Sequence, residues 1–99
     1  MTYKITEEDN ISTIFLDGEI DMDKTDEVKE SIFPVLDSGK NVALNLSNVQ
    51  YMDSSGISVL IESHQKALEK GTKLVIKDVS KSVLKVIMMA KLEQILNLE

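Results

Sequence analysis

From Asp23 to the end, the apolar residues of this chain switch repeatedly between two periods, and that alternation limits the folds open to it. Val28, Ile32, Val35 and Leu36 recur at helical spacing. Val42, Ala43, Leu44 and Leu46 follow as a short run suited to a strand covered on at least one face. Ile57, Leu60, Ile61, His64 and Leu68 return to one helical face, with Ser58, Glu62, Lys66, Glu69 and Lys70 turned away from it. "TKLVIKDV" then reads as a strand and "SKSVLKVIMMAKLEQIL" as a helix with Ser80 or Ser82 as its cap. Each helix between two strands is long enough to be a crossover, so the strands it joins are expected to run parallel, with right-handed connections.

The start of the chain has a different pattern. "YKIT" and "ISTIFLDG" are short β-type segments joined by the polar "EEDN", which predicts an antiparallel hairpin. Asp23 stands where the first helix needs an N-cap, and Asp26 and Glu27 fall in its first turn. Pro34, inside that helix, predicts a kink or an early end, and Gly39 and Gly71 mark helix stops. The expected fold class is α/β, a small mixed sheet, mostly parallel after its hairpin, with helices mainly on one face. Ninety-nine residues suit one domain over 1–99.

Eleven basic against seventeen acidic residues leave a net charge of −6, which disfavours nucleic acid and anionic membrane as partners. The chain has no cysteine, "MTYKITEEDN" lacks the basic and apolar regions of a secretion signal, and no apolar run approaches a membrane span. A cytoplasmic location is the expectation.

In such a sheet the loops after the strands gather at one rim, with the helix N-termini. "YMDSSG" (51–56) and "DGEIDMDK" (17–24) both belong to that rim and are expected to be spatial neighbours. The adjacent serines, Ser54 and Ser55, have three possible uses. A catalytic nucleophile needs a base within hydrogen-bond reach. The one histidine, His64, lies about 13 Å further along the helix from Ser55 at 1.5 Å per residue. The glycine-any-serine-any-glycine pattern is missing as well. Catalysis is therefore the weakest reading, and no enzyme activity is expected. A serine also serves as a helix N-cap beside a glycine that eases the turn. The third use is phosphorylation, because an exposed hydroxyl at a helix start accepts a phosphate whose charge the helix N-terminus tolerates.

Three segments, "LDGEID" (16–21), "VALNLSNVQYMDSSGISVLI" (42–61) and "GTKLVIKDVSKSVLKVI" (71–87), in this order and spacing, resemble the STAS domain family, and within it the bacterial anti-sigma factor antagonists. The likeness spans nearly the whole chain. "MDSSG" is similar to the family's phosphorylation signature. The resemblance implies a binding protein that docks onto an anti-sigma factor, itself a serine kinase, and so releases a sigma factor. It implies that Ser54 is phosphorylated by that kinase and restored by a serine phosphatase. It further implies site roles for Asp21, Asp53, Ser54 and Ser55, and with Met22, Asp23, Tyr51 and Met52 of the same two rim loops these make the expected partner-binding rim. Asp53 would either orient Ser54 or fix its loop by accepting backbone N–H bonds. Met22, Met52 and Tyr51 would add apolar contact to the docking surface or tuck beneath it. The alternative role on the same fold is a STAS-type scaffold or stressosome-like module without a sigma-factor switch. Lys81 stands where the family often has proline, and Ala90, Lys91 and Leu92 where it often has threonine or serine, glycine and leucine.

No metal or cofactor is expected. His64 has no second histidine or cysteine to complete a transition-metal site and reads as a packed residue. Asp17, Glu19, Asp21 and Asp23 lack EF-hand spacing and read as solvated charges. Nucleotide would enter through the partner kinase, since no glycine-rich phosphate cradle is present. Met88 and Met89 extend the apolar character of the last helix, read as core packing ahead of a partner contact.

Overall fold

The computed structural model describes residues 3–99; residues 1 and 2, with which the expected domain begins, lie outside the described residues. The chain forms β1 (Lys4–Glu8), β2 (Ile11–Ile20), α1 (Thr25–Asp37), β3 (Asn41–Met52), α2 (Ser54–Lys70), β4 (Leu74–Lys77) and α3 (Lys81–Met89), then a 3-10 turn over Leu92–Gln94. The strands lie in the order β1-β2-β3-β4. The first pair is antiparallel and the other two are parallel, as the alternation of strand and helix predicts.

One face of the sheet carries the core. Ile14 and Leu16 of β2, Val42, Leu44 and Leu46 of β3, and Leu74 and Ile76 of β4 are all buried and join one cluster with Val28, Ile32 and Leu36 of α1 and Ile57 and Leu60 of α2. The opposite face, with Thr13, Phe15, Asn45, Val75 and Lys77, is only half-buried.

Several boundaries differ from expectation, each for a physical reason. The first two strands pair as far as Glu8 and Ile11, so only Asp9 and Asn10 form the turn. Both have positive φ, 53° and 65°, the conformation that a tight hairpin requires and that Asp and Asn tolerate. Glu7 and Glu8 are therefore strand residues. β3 does not stop near Ser47 but continues to Met52, and β2 continues to Ile20. The β2–β3 register shifts between Phe15 and Asp17 and again between Gly18 and Glu19, with β3 gaining a residue at each step. Such bulges break the period-two alternation by which a strand is recognised.

Asp23 is not the cap of α1. That position belongs to Lys24, which has no side-chain cap bond. Asp23 stands in the preceding turn, where its N–H donates to Asp21 Oδ1 at 3.0 Å. Pro34 does not end α1, which continues for three more residues to Asp37. Pro34 and Glu30, whose carbonyl loses a donor, are both on the exposed side of the helix, where solvent can replace the bond.

The buried face of α2 is also rotated from the expected one, to Gly56, Ile57, Val59, Leu60, Ser63 and Ala67. Leu68, expected inside, is exposed. His64 is half-buried. α2 ends at Gly71, whose φ of 70° is the left-handed conformation of a helix stop.

α3 ends at Met89, seven residues short of Leu96. Lys91, with φ 59°, turns the chain back so that Leu92 and Leu96 are buried. The last residues then pair alongside β4: Ile76 N–H donates to Asn97 O and Glu99 N–H to Ile76 O, each at 2.8 Å. Among the described residues no helix is long and apolar enough to cross a membrane.

Candidate functional site

The parallel pairing of β2 with β3 sets Ile20 opposite Met52, so the two chain segments that follow leave the sheet side by side. The backbone N–H of Asp53 donates to the carbonyl of Ile20 at 3.4 Å and ties the two exits together. Residues 21–24 and 53–54 therefore share one rim, as expected from "DGEIDMDK" and "YMDSSG". The loops themselves are shorter than those motifs, because Asp17 to Ile20 and Tyr51 to Met52 belong to the strands.

Asp53 starts α2. It has extended backbone, and its Oδ1 accepts the N–H of Ser55 at 2.9 Å and of Gly56 at 3.2 Å. This is the N-cap role, so the carboxylate fixes the loop and does not reach for the Ser54 hydroxyl. It also displaces the reading of a serine as cap. Ser54 is the first helical residue and is exposed. Its hydroxyl has no hydrogen-bond partner among the described residues, while its carbonyl accepts from Ser58 Oγ at 2.9 Å. Ser55 is half-buried behind it.

Gly56 has a role beyond easing a turn. A Cβ there would lie 2.8 Å from the carbonyl oxygen of Ile20 and 2.5 Å from Met52 Cγ. The first turn of α2 thus seats directly on the ends of β2 and β3, and that contact sets the height of Ser54 above the rim.

Around this hydroxyl the expected contact residues divide. Met22 is 74% exposed and Tyr51 50% exposed, both available to a partner. Met52 is 2% exposed and packs beneath the rim, so it is a support and not a docking residue. Asp23 is exposed and Asp21 half-buried. Asp21 holds its own loop, through its side chain to Asp23 and through its carbonyl, which accepts the N–H of Lys24 at 3.0 Å. Beside it lies a depression of about 330 Å³ lined by Tyr3, Asp17, Gly18, Glu19, Asp21, Lys24 and Glu27. Partial burial, then the nearby Glu27 and Asp17 carboxylates, raise the Tyr3 phenol above its ordinary pKa. Acidic groups thus outnumber basic ones along this side of the rim.

The chemistry open to Ser54 is that of an acceptor. His64 is ten residues further along α2, about 15 Å at the helical rise, and is no base for it. A charged group added to Ser54 would stand at the N-terminal end of a helix of 17 residues, where the backbone dipoles favour negative charge.

Two residues that sequence reasoning treated only as cap candidates brace the rim from the other side. Ser80 Oγ donates to Val49 O at 2.7 Å, and Ser82 Oγ to Gln50 O at 3.0 Å. They attach the start of α3 to the part of β3 that β4 leaves uncovered, immediately before Tyr51. Nothing in local sequence signals a bond across about thirty residues.

The STAS domain family model matches residues 2–99. An anti-sigma-B factor antagonist of Bacillus subtilis (strain 168) is 22% identical over 94 residues, covering 95% of this chain and 86% of that protein. The crystal structure of an anti-sigma factor antagonist from Mycobacterium paratuberculosis superposes with a TM-score of 0.89 at 21% identity, over 98% of this chain and 83% of that one. The anti-sigma factor antagonist SpoIIAA in its unphosphorylated form gives 0.80 at 17% identity, over 99% and 88% of the two chains. Its phosphorylated form gives 0.75 at 17%, over 99% and 91%. Sheet order, helix placement and the match along the chain agree, and the protein belongs to the STAS domain family.

Proposed function

We propose that this protein is an anti-sigma factor antagonist whose binding is switched off by phosphorylation of Ser54. One observation carries the proposal: Ser54 opens α2 with an exposed hydroxyl that makes no internal hydrogen bond among the described residues, because Asp53 already caps the helix. A phosphate there would break no native bond. The names of the relatives point the same way, and SpoIIAA has been solved in both phosphorylation states.

In this reading the unphosphorylated rim, with Asp21, Met22, Asp23, Tyr51, Asp53, Ser54 and Ser55, docks onto an anti-sigma factor in the cytoplasm, and a sigma factor is released. The anti-sigma factor is also the kinase. Ser54 Oγ attacks the γ-phosphorus of ATP held by that partner, the bond to the β-phosphate oxygen breaks, ADP leaves, and the hydroxyl proton passes to a base of the kinase. A serine phosphatase restores the hydroxyl by hydrolysis. The phosphate adds about −1.5 to −2 charges. It adds them to a rim that already carries Asp21, Asp23 and Asp53. A docked surface then meets a hydrated, like-charged cluster. An unfavourable change of about 3 kcal/mol lowers affinity more than a hundredfold.

The test is the intact mass of the protein after incubation with ATP, magnesium and extract of its source cells, with Ser54→Ala alongside. The expected result is one added phosphate on the wild type and none on the variant. No change in either form, with a control substrate phosphorylated in the same extract, would transfer the reading to a constitutive scaffold.

A further inference from the structure

The positive charge of this protein is concentrated in one stretch. Residues 70–91 hold Lys70, Lys73, Lys77, Lys81, Lys85 and Lys91 against the single acid Asp78, in a chain whose net charge is −6. On α3 the charge is combined with exposed apolar surface. Val83 and Ile87 face the core. Lys81, Leu84, Lys85 and Met88, at the i, i+3, i+4 and i+7 positions, make a second stripe. With Met89 they line a shallow depression of about 410 Å³. Met88 is 55% exposed and Met89 76%, so the expectation that these methionines pack in the core is not met.

The lysines of this stripe are not neutralised within the chain. Lys24, Lys29, Lys40, Lys66 and Lys77 each have a carboxylate partner. Among the described residues Lys81, Lys85 and Lys91 have none within 4.0 Å, and α3 itself carries no acid. Uncancelled cations flanking an apolar strip match a ligand that is itself amphipathic and of opposite sign.

We propose that the outward stripe of α3 docks an acidic amphipathic helix of another protein, with its apolar side chains against Leu84, Met88 and Met89 and its carboxylates facing Lys81 and Lys85. A second copy of this chain fits less well, because α3 set against α3 opposes lysine to lysine. An anionic bilayer fits less well too, because α3 has nine residues and the rest of the molecule is strongly acidic. The proposal stands independently of the Ser54 switch.

The test is an NMR titration of the isotope-labelled full chain with a synthetic helical peptide carrying leucine at helical spacing between glutamates. The same peptide with lysine for glutamate, and phosphatidylglycerol vesicles, serve as comparisons. The expected result is saturable shifts confined to α3 and its flanks with the acidic peptide alone, weakened by salt and by at least about tenfold in the Lys81→Glu, Lys85→Glu double variant. Met88→Ser, which leaves the charges in place, should weaken binding as well. Shifts centred elsewhere, no saturation, equal response to the lysine peptide, or a response only to vesicles would each overturn the proposal.

Discussion

The carbonyl oxygen of Ile20 lies 2.8 Å from the point where Gly56 would carry a Cβ, so the first turn of α2 rests on the end of β2 without a side chain between them. Alanine has the better helix propensity by about 1 kcal/mol. Overpacking against a backbone oxygen and Met52 costs about 1–3 kcal/mol, because the strand end cannot retreat without breaking its pairing. Gly56→Ala should therefore lose about 1 kcal/mol net in urea unfolding. Unchanged stability would mean that the first turn of α2 rises off the strand end without cost, since movement of Met52 alone leaves the Ile20 carbonyl oxygen in place.

The division of labour between Asp53 and Ser54 is open to a direct comparison. Asp53→Ala removes the acceptor for two backbone N–H groups and should cost about 1 kcal/mol, whereas Asp53→Asn keeps most of it. Ser54→Ala removes an exposed hydroxyl and should stay within about 0.5 kcal/mol of wild type. Thermal unfolding of the three variants decides the matter. A loss confined to Ser54→Ala would make the serine the cap.

The order of strands and helices was legible because each crossover needs a long amphipathic segment, and such segments stand out by their period. The boundaries were less legible where a tertiary bond overrides the local pattern. β3 passes through two bulges that spoil its alternation, so Met52 reads as a loop residue in the sequence. α2 is packed by Gly56, Ser63 and Ala67, residues with little hydrophobic signal, and its apolar face was misplaced toward Leu68. α3 stops at Met89 because Leu92 and Leu96 are buried after a reversal at Lys91, a long-range outcome that local spacing does not report. At the site, Ser54 was legible from "MDSSG". That Asp53 takes the cap and leaves the serine hydroxyl uncommitted required the backbone geometry.

The hairpin supplies a pH dependence. Glu7 accepts a hydrogen bond from Ser12 Oγ at 3.1 Å and is paired with Lys40. The Lys40 hydrogen bond, and after it that of Ser12, holds its carboxyl below the ordinary carboxylate value. The folded state thus binds this proton less readily than the unfolded state. The stability it contributes is fully present above the unfolded pKa, about 4.3, and is lost as pH falls through the folded value. Glu7→Gln should therefore lower the urea midpoint at neutral pH, with the gap to wild type closing at acid pH. Because Glu7 is exposed, raised salt should narrow that gap too. A gap independent of pH would place the effect in lost packing.

Replacing Ser54 with Asp separates folding from binding. The new carboxylate would stand in the first turn of α2, next to Asp53, where the helix N-terminus favours negative charge by about 0.3–1 kcal/mol and the neighbouring aspartate opposes it. The two effects nearly cancel, so stability should stay within about 1 kcal/mol of wild type. Binding to the proposed anti-sigma factor partner should weaken at least about tenfold by titration calorimetry, since the charge enters a rim that already carries Asp21, Asp23 and Asp53. Ser54→Ala should bind as wild type does. Enzymatically phosphorylated protein, measured in parallel, should weaken further because it carries more charge. Tight binding by both charged forms, each shown to be folded, would remove the electrostatic switch and leave Ser54 as an exposed residue of a permanently active docking rim.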